Sequence, residues 1–263
     1  MKFVKPSVEW LPQEPTLDGA KKLIEIAGRT CYKSEHLITK DSSDKFYNRM
    51  LSYGHGSVLE HGTVYLKLNV LLHPLKTLFY KLNPFSKVKF KGINAHVTTN
   101  LRVIEKNRRV KDLSYFKFTD IHEKRYTFRI ITSRIISQQY TRHRVMSPSQ
   151  ESQRYCNYSK GKFNNEVQFI YPVWFSDCSK EAAETYKEHL IATEKAYFKL
   201  TDEGLPAEDA RDVLNNGVKT EFVYTGFASD FLGNFHELRS HRSAQELIRI
   251  QEEEIFNIIN NNK

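Results

Sequence analysis

The sequence predicts a globular fold that combines helices with strands. Apolar residues make up 40% and aromatic residues 13% of the 263 residues, so a packed core is expected and general disorder is not. Two amphipathic helical patterns, at residues 16–27 and 179–203, accompany a strictly alternating apolar stretch that begins at Val64. At this length one large domain and two small domains both fit the sequence, and no internal repeat or clear linker divides it.

The N-terminal part is predicted to carry two helices and a turn. Thr16 is a residue type that caps helices, and apolar residues after it recur at the spacing of one helical face. A second helix is predicted to begin near Ser43 and to end at Gly54, and the segment GHGSVLEH, residues 54–61, follows as a glycine-flanked turn. The apolar residues expected to face the core are Ala20, Leu23, Ile24 and Ala27 in the first helix and Phe46, Met50 and Leu51 in the second.

The middle of the chain is predicted to contain two strands and a helix. Alternation places the apolar positions 64, 66, 68 and 70 on one side of a strand, and residues 96–105 are also strand-like. Residues 73–92 lie between them and contain prolines and lysines, which favours a surface crossing that is partly helix and partly loop. Residues 126–142 are predicted to be helical after a short extended start, because residues recur there at spacings of three and four. The recurring residues are Phe128, Ile131, Ile135, Gln139 and Arg142.

The C-terminal part is predicted to be mostly helical. A long amphipathic helix at residues 179–203 ends at Gly204, and Pro206 is expected to begin the next helix, which holds Arg211. Residues 229–259 are expected to carry one or two further helices.

The charge balance and the cysteines limit the functional classes. A formal charge of +9 indicates an anionic partner, but it does not distinguish a nucleic acid from a phosphorylated small molecule or a carboxylate. The cysteines, Cys31, Cys156 and Cys178, are too far apart for a disulfide framework or a paired metal site, and they fit a reducing, cytoplasmic setting. The N-terminal residues do not predict a signal peptide. Polar residues interrupt the most apolar window, residues 64–82, so no membrane span is predicted.

The segment RHRVMSPSQESQRY, residues 142–155, concentrates cations, hydroxyls and amides at one bend. Part of this pattern has a structural explanation, because Pro148 interrupts the preceding helix, cations offset a helix C-terminal dipole, and Ser147 with Gln150 matches a capping box. That explanation requires only one or two such residues. Like charges at one bend repel each other unless an anion lies between them, and arginine and serine side chains suit phosphate oxygens. The segment therefore favours a phosphate-bearing ligand, with a solvated basic face as the alternative.

The same segment resembles the signature of the flavin-dependent thymidylate synthases. The order Arg-His-Arg, seven residues, Ser is met at residues 142–152, and the fuller pattern Arg-His-Arg-x-x-Ser-x-x-x-x-Ser-x-Arg is met at residues 142–154. The turn GHGSVLEH is similar to the family's Gly-His-x-(Ser/Thr)-x-x-Glu-His segment. Gln139 stands three residues before the motif, and the segments LPAEDAR and FHELRS supply Arg211 and Arg239 in order. The resemblance covers most of the chain.

This resemblance implies an α+β fold in which a small twisted antiparallel sheet packs with long helices. It implies a single domain over residues 1–263, with an inserted segment at about 63–125 that exceeds the compact family core. It also implies a homotetramer whose sites are shared between subunits, which suits a site that gathers polar residues from distant segments.

The resemblance further implies the reductive methylation of dUMP to dTMP. Methylenetetrahydrofolate would supply the carbon and NADPH the hydride, through bound FAD, and neither a metal nor a specific nucleic acid is expected. The residues implied at FAD are His55, Ser57, Glu60, Arg142, His143, Arg144, Gln150 and Asn234. The residues implied at dUMP are Gln139, Arg142, Gln150, Glu151, Ser152, Gln153, Arg154, Arg211 and Arg239.

Within this set, Arg239 is the residue implied to act in the chemistry. Its cation beside the pyrimidine would favour the N3-deprotonated base and so raise the nucleophilicity of C5. Cys156 is the one alternative thiolate nucleophile, although small buried cysteines are commoner. Ser152 has no adjacent base within the motif and is expected to bind rather than to attack. The sequence contains no Gly-rich dinucleotide pattern and no P-loop, and His55 with His61 is not a convincing metal pair.

The chain departs from the family pattern at three places. Gln150 stands where members often have Glu, Phe227 or Ala228 stands where many have an Asn at the flavin, and Ser243 stands where His is frequent. These departures leave open a flavin-free or inactive homologue. A second alternative is a nucleic-acid-binding module that uses the basic, aromatic-containing residues 102–154.

Overall fold

The fold consists of three small sheets with helices packed around them, and the computed structural model describes residues 1–262 except the side chain of residue 162. In chain order the strands are β1 (Lys2–Val4), β2 (Ser7–Trp10), β3 (Thr63–Asn69), β4 (Lys87–Lys91), β5 (Asn94–Asn100), β6 (Arg125–Ser133), β7 (Ser147–Gln150), β8 (Gln168–Ile170) and β9 (Lys219–Phe227). The helices are α1 (Leu17–Tyr32), α2 (Ser42–Ser52), α3 (Pro74–Leu82), α4 (Leu101–Lys106), α5 (Arg134–Tyr140), α6 (Lys180–Asp202), α7 (Ala207–Ala210), α8 (Ala228–Asp230), α9 (His236–Arg239) and α10 (Glu246–Asn261).

Two of the sheets are antiparallel and the third is a parallel pair. The largest sheet has the strand order β2-β6-β9-β7, with Arg125 opposite Phe227 and Ser147 opposite Thr225. The second has the order β3-β5-β4, and β1 pairs with β8 in parallel. These small sheets with surrounding helices confirm the predicted α+β class.

The hydrophobic core is divided among the three sheets. Side chains of β6 and α10, including Phe128 and Ile255, form the cluster under the four-stranded sheet. A second cluster joins α1 and α2 to the three-stranded sheet, with Phe46 and Leu66 among its members. Residues 63–125 therefore pack against the N-terminal helices and do not form a core of their own. The third cluster joins the long helix α6 to β8.

Both long helices predicted from amphipathic spacing are confirmed. The hydroxyl oxygen of Thr16 accepts a hydrogen bond from the backbone N–H of Gly19 at 2.9 Å, as a capping residue does. The four apolar residues predicted on the inner face of α1 are at most 3% exposed. Helix α6 begins and ends within one residue of its predicted limits, and α2 begins one residue before the predicted Ser43.

The helix predicted over residues 126–142 is wrong for its first half. Residues 125–133 form β6, which pairs with β2 on one side and β9 on the other, and only residues 134–140 are helical. Aromatic and β-branched residues fit a central strand, and pairing with two neighbours outweighs the helical spacing. Ser133 caps the helix that follows, because its hydroxyl accepts from the N–H of Ile136 at 3.4 Å.

The capping box suggested at Ser147 and Gln150 does not form. These residues instead bound β7, an edge strand of the large sheet. Pro148 is tolerated there because an edge strand has one side without ladder hydrogen bonds. The strand predicted over residues 96–105 is also too long, since β5 ends at Asn100, whose side chain caps α4 by accepting from the N–H of Val103 at 3.0 Å.

Across residues 1–262, no helix combines the length and the apolar character that a membrane crossing requires.

Candidate functional site

Arg239 is the centre of a polar cluster that joins α9 to the end of α5. Its Nε donates to Nε2 of His143 at 2.9 Å, and its Nη1 and Nη2 donate to the side-chain and backbone oxygens of Gln139 at 3.2 and 2.9 Å. Three of the five guanidinium N–H groups are thereby used, which leaves two for a ligand. A cavity of about 510 Å³ is lined by these three residues together with Arg142 and Asn234.

His143 is held in its neutral form by this arrangement. Burial, and then the cation of Arg239, lower its pKa from 6.5 to about 4. A neutral imidazole that accepts at Nε2 carries its proton on Nδ1. The ring of Phe235 packs edge-on against the imidazole at a centroid distance of 4.9 Å, which fixes the ring plane. His143 therefore orients Arg239 and is not a cation itself at neutral pH.

The cavity beside Arg239 is electrostatically suited to an anion. Burial lowers the pKa of Arg239, and the nearby cation of Arg142 lowers it further. Two guanidinium groups that line one cavity repel each other in the absence of a counter-ion. The donor set therefore fits a negatively charged ligand.

A second cavity, of about 890 Å³, contains part of the flavin set. Its lining includes His55 and Ser57 from the turn at residues 54–61, and Gln150 from β7. Gly54 begins this turn with φ of +69°, a conformation that favours glycine. Glu60, on the same turn, forms an ion pair with Arg102 of α4. The residues predicted to bind one flavin are thus divided among the cavities of a single chain. His55, Ser57 and Gln150 line the larger one, and Arg142, His143 and Asn234 line the one beside Arg239. Glu60 lines a third cavity, and the exposed side chain of Arg144 lines none of these three.

The turn is tied to the large sheet by a buried histidine that sequence reasoning did not assign. His61 is 0% exposed, and its ring nitrogens lie 2.7 Å from the hydroxyl of Thr225 and 2.8 Å from that of Ser149. Burial lowers its pKa to about 3, so the ring is neutral. Its position among residues 54–61 was available from the sequence, but its partners on β7 and β9 depend on the strand register.

The end of the motif lies beside α7. Arg154 Nε donates to the carboxylate of Glu208 at 3.1 Å, and Glu208 stands three residues before Arg211. The backbone N–H of Ser152 donates to the carbonyl of Cys31 at 2.9 Å, which ties the motif to the end of α1. Arg154 thus contacts α7, the helix that immediately precedes Arg211.

Glu151 has its side chain occupied within the protein. The carboxylate is 3% exposed, accepts from Nζ of Lys219 at 2.8 Å, and accepts from the hydroxyl of Tyr158 at 3.4 Å. These two contacts hold the carboxylate of Glu151, which is predicted to contact the substrate, within the protein. Cys156 is 0% exposed, which argues against the alternative of a thiolate nucleophile at that position.

One buried donor near the end of the motif has no acceptor within the described residues. It is Nη1 of Arg134, the first residue of α5. Burial lowers the pKa of Arg134, and the neighbouring cation of Arg211 lowers it as well. A buried donor without a partner is costly, so a ligand oxygen at this place would stabilise it. Sequence reasoning missed Arg134 because residues 126–142 were predicted as one helix, which hides the first turn of α5.

Within the described residues, no group of three or more His, Cys, Asp or Glu side chains is placed to hold a metal ion.

Comparison with known proteins agrees with these features. The family described as thymidylate synthase complementing protein matches residues 15–73 and 88–262. Among curated proteins, the chain is 35% identical over 127 residues to the flavin-dependent thymidylate synthase of Geobacter sulfurreducens, covering 48% of this chain and 52% of that protein. It is 38% identical over 125 residues to the protein of that name from Sulfurisphaera tokodaii, covering 47% and 46%. It is 40% identical over 126 residues to that of Saccharolobus solfataricus, covering 47% and 45%.

The chain spans about half the length of the curated relatives it matches. The family match extends further and leaves only residues 74–87 between its two parts. The chain belongs to the thymidylate synthase complementing protein family.

Proposed function

We propose that this protein is a flavin-dependent thymidylate synthase that converts dUMP to dTMP. Methylenetetrahydrofolate is the carbon donor, NADPH is the reductant, and FAD, when bound, supplies the redox chemistry that links them. The observation that carries the proposal is the contact of Arg239 with His143 and Gln139, which unites the motif with a residue about a hundred positions later. The relatives named flavin-dependent thymidylate synthase support the same activity.

Arg239 is the proposed catalytic residue. His143 and Gln139 hold its guanidinium through three hydrogen bonds, and two N–H groups remain free to reach the pyrimidine. A fixed cation beside the base stabilises negative charge at N3 and so makes C5 more nucleophilic. Because the guanidinium is already oriented, little reorganisation is required when substrate binds.

The phosphate of dUMP is proposed to lie at the end of the motif. The resemblance assigns Ser152 and Arg154 to the phosphate and Arg211 to the base, and Arg134 is added at the phosphate on the basis of its buried, unpartnered Nη1. Gln139, Arg142, Gln150, Glu151 and Gln153 complete the proposed substrate set. Phosphate oxygens are suitable acceptors for both the arginine donors and the serine hydroxyl.

The flavin is proposed to contact His55, Ser57, Glu60, Arg142, His143, Arg144, Gln150 and Asn234. In the larger cavity, hydroxyl, amide and imidazole groups are available to orient a flavin ring. At the cavity beside Arg239, Arg142, His143 and Asn234 are available for further contacts with the flavin.

The two cavities are proposed to belong to one site that is shared between subunits of a homotetramer. His55 and Arg239 line different cavities of a single chain, and symmetric association would bring a cavity of one copy against a cavity of another. We further propose that residues 1–263 form one domain with an inserted segment at about 63–125. The core shared by this segment and the N-terminal helices supports that view.

A reducing, cytoplasmic location is proposed from the cysteines, because no disulfide joins those that the structure describes.

The activity is tested with purified protein and a visible spectrum recorded with and without added FAD. We expect flavin bands that bleach when NADPH is added, and dTMP formation that stops when dUMP, methylenetetrahydrofolate, NADPH or FAD is omitted. A colourless protein that binds random oligonucleotides with a steep salt dependence would instead support the nucleic-acid alternative.

The shared site is tested by mixing two variants, His55→Ala and Arg239→Ala, through co-expression. If each site takes these two residues from different copies, random assembly restores about one quarter of the sites. If both residues act within one copy, no intact site forms. Activity of the mixture no higher than that of the separate variants would contradict sharing.

A further inference from the structure

Two cavities adjoin at α4, and the same two basic side chains line both. The first is the cavity of about 890 Å³ that contains His55 and Ser57. The second, of about 370 Å³, includes Asn83, Phe85 and Asn107 in its lining. Arg102 and Lys106 belong to the lining of each, so they stand where the two spaces meet.

Helix α4 presents these side chains on one face because they are four residues apart. The other residues anchor the helix, since Leu101, Val103 and Ile104 are at most 5% exposed. The cap at Asn100 fixes where the helix begins. The two cations are therefore held on a rigid element, although α4 is short.

Arg102 is oriented by an ion pair that uses only part of its hydrogen-bonding capacity. Its Nη1 donates to the carboxylate of Glu60, while the side chain remains 40% exposed. A Cβ placed on Gly56 would lie 3.7 Å from the Nε of Arg102, so this guanidinium sits against the turn that carries His55 and Ser57. An arginine has five N–H donors, and the single bond to Glu60 leaves most of them available.

Lys106 carries the second charge at the same wall. It is exposed and forms no ion pair within residues 1–262. The adjacent carboxylate of Glu105 is not its ion-pair partner and instead accepts a hydrogen bond from the hydroxyl of Tyr47. A lysine and an arginine on neighbouring turns repel each other unless an anion lies between them.

We propose that Arg102 and Lys106 form a binding site for the diphosphate of a dinucleotide that extends through both cavities. The inference rests on the proposed function, from which the flavin end of the ligand is assigned to the cavity of His55. The nucleoside end then lies in the cavity of about 370 Å³. Its lining offers the ring of Phe85, which is 40% exposed, for stacking, and the amide oxygen of Asn107, whose nitrogen is already bound to a backbone carbonyl at 2.8 Å.

This site lies within residues 63–125, outside the Arg-His-Arg motif. FAD carries a diphosphate and an adenosine that riboflavin lacks, while both contain the same isoalloxazine. Removal of the cations should therefore weaken the binding of FAD more than the binding of riboflavin.

The test uses the flavin-depleted full-length protein, titrated with FAD and with riboflavin and followed by flavin fluorescence. Lys106→Gln leaves the Arg102–Glu60 pair in place, and we expect it to weaken FAD binding about tenfold, as loss of one charged hydrogen bond would. The double variant Arg102→Gln/Lys106→Gln should weaken it further. Riboflavin binding should stay within about twofold of the wild type in the single variant.

Lys91→Gln is the matched control, because Lys91 is an exposed lysine at the end of β4 that lines neither cavity. It should leave both affinities unchanged. FAD binding of Lys106→Gln equal to that of the wild type would overturn the diphosphate site, and so would an equal loss for FAD and riboflavin. In both cases a wild-type protein that binds FAD and forms dTMP would leave the proposed function standing. A wild-type protein that binds no flavin would overturn both.

Discussion

Replacing Arg239 with alanine removes the group on which the proposed chemistry depends. The side chain is partly exposed and makes three hydrogen bonds, two to Gln139 and one to His143. The substitution deletes the cation without removing any buried apolar contact of the core clusters. Its effect on folding should therefore be modest, and its effect on turnover large.

The structure sets the size of both effects. Hydrogen bonds to charged groups contribute about 1.5–3 kcal/mol each to stability, and partial exposure reduces this, so we expect a total stability loss of about 1–3 kcal/mol. Loss of one preorganised donor at a developing charge typically lowers the turnover number by about 10²–10³-fold. Arg239→Lys keeps the charge but loses the fork that binds both partners, so its activity should lie between those of the wild type and the alanine variant.

The assay measures dTMP formation and flavin retention in the same preparation, with unfolding in urea as the check on folding. Arg239→Ala should retain flavin, because the other predicted flavin residues remain. The pKa of His143 supplies an independent reading, since removal of the neighbouring cation should raise it from about 4 toward 6.5 in an NMR titration. Unchanged turnover in a folded Arg239→Ala variant would remove this residue from the mechanism.

Three further predictions concern other groups of the site. Arg144→Ala should weaken flavin retention without changing stability, because its side chain is exposed; normal retention, measured by absorbance after gel filtration, would contradict its assignment. The folded-state pKa of His143, about 4, lies below its ordinary 6.5, so its stabilising contribution is complete above pH 6.5 and is lost as the pH falls toward 4, by up to about 3 kcal/mol. The free energy of unfolding in urea, measured at pH 7.5 and at pH 4.5, should differ less between the two pH values in His143→Gln than in the wild type. Equal differences in the two proteins would refute this linkage. Arg134→Gln should weaken dUMP binding about tenfold in a calorimetric titration while flavin retention stays normal; unchanged dUMP affinity would show that its buried donor serves no ligand.

The sequence predicted those elements whose stabilisation is local. Helices α1 and α6 have clear apolar faces and capping residues, Thr16 and Ser179, and both form where their spacing indicates. β6 was assigned to a helix because its apolar residues also satisfy helical spacing. Its strand state comes from hydrogen bonds to β2 and β9, which lie about 90 to 120 positions away and leave no mark on the local pattern.

The sequence predicted which residues belong to the site, but it did not predict their contacts in the fold. The motif and its resemblance named Arg239, His143 and Gln139, and all three meet at one cavity. The sequence did not reveal that the carboxylate of Glu151 is paired with Lys219, or that Arg134 lies beside Arg211, because both contacts arise from the packing of distant segments. Charge composition indicated an anionic partner, but the positions of the cations required the fold.

The most direct test of the account is a crystal structure of the protein grown with FAD and dUMP. We predict electron density for the uracil ring within hydrogen-bond distance of the guanidinium of Arg239, and for a phosphate beside Ser152, Arg154 and Arg134. Solvent alone at these side chains, in crystals whose protein forms dTMP in solution, would contradict it.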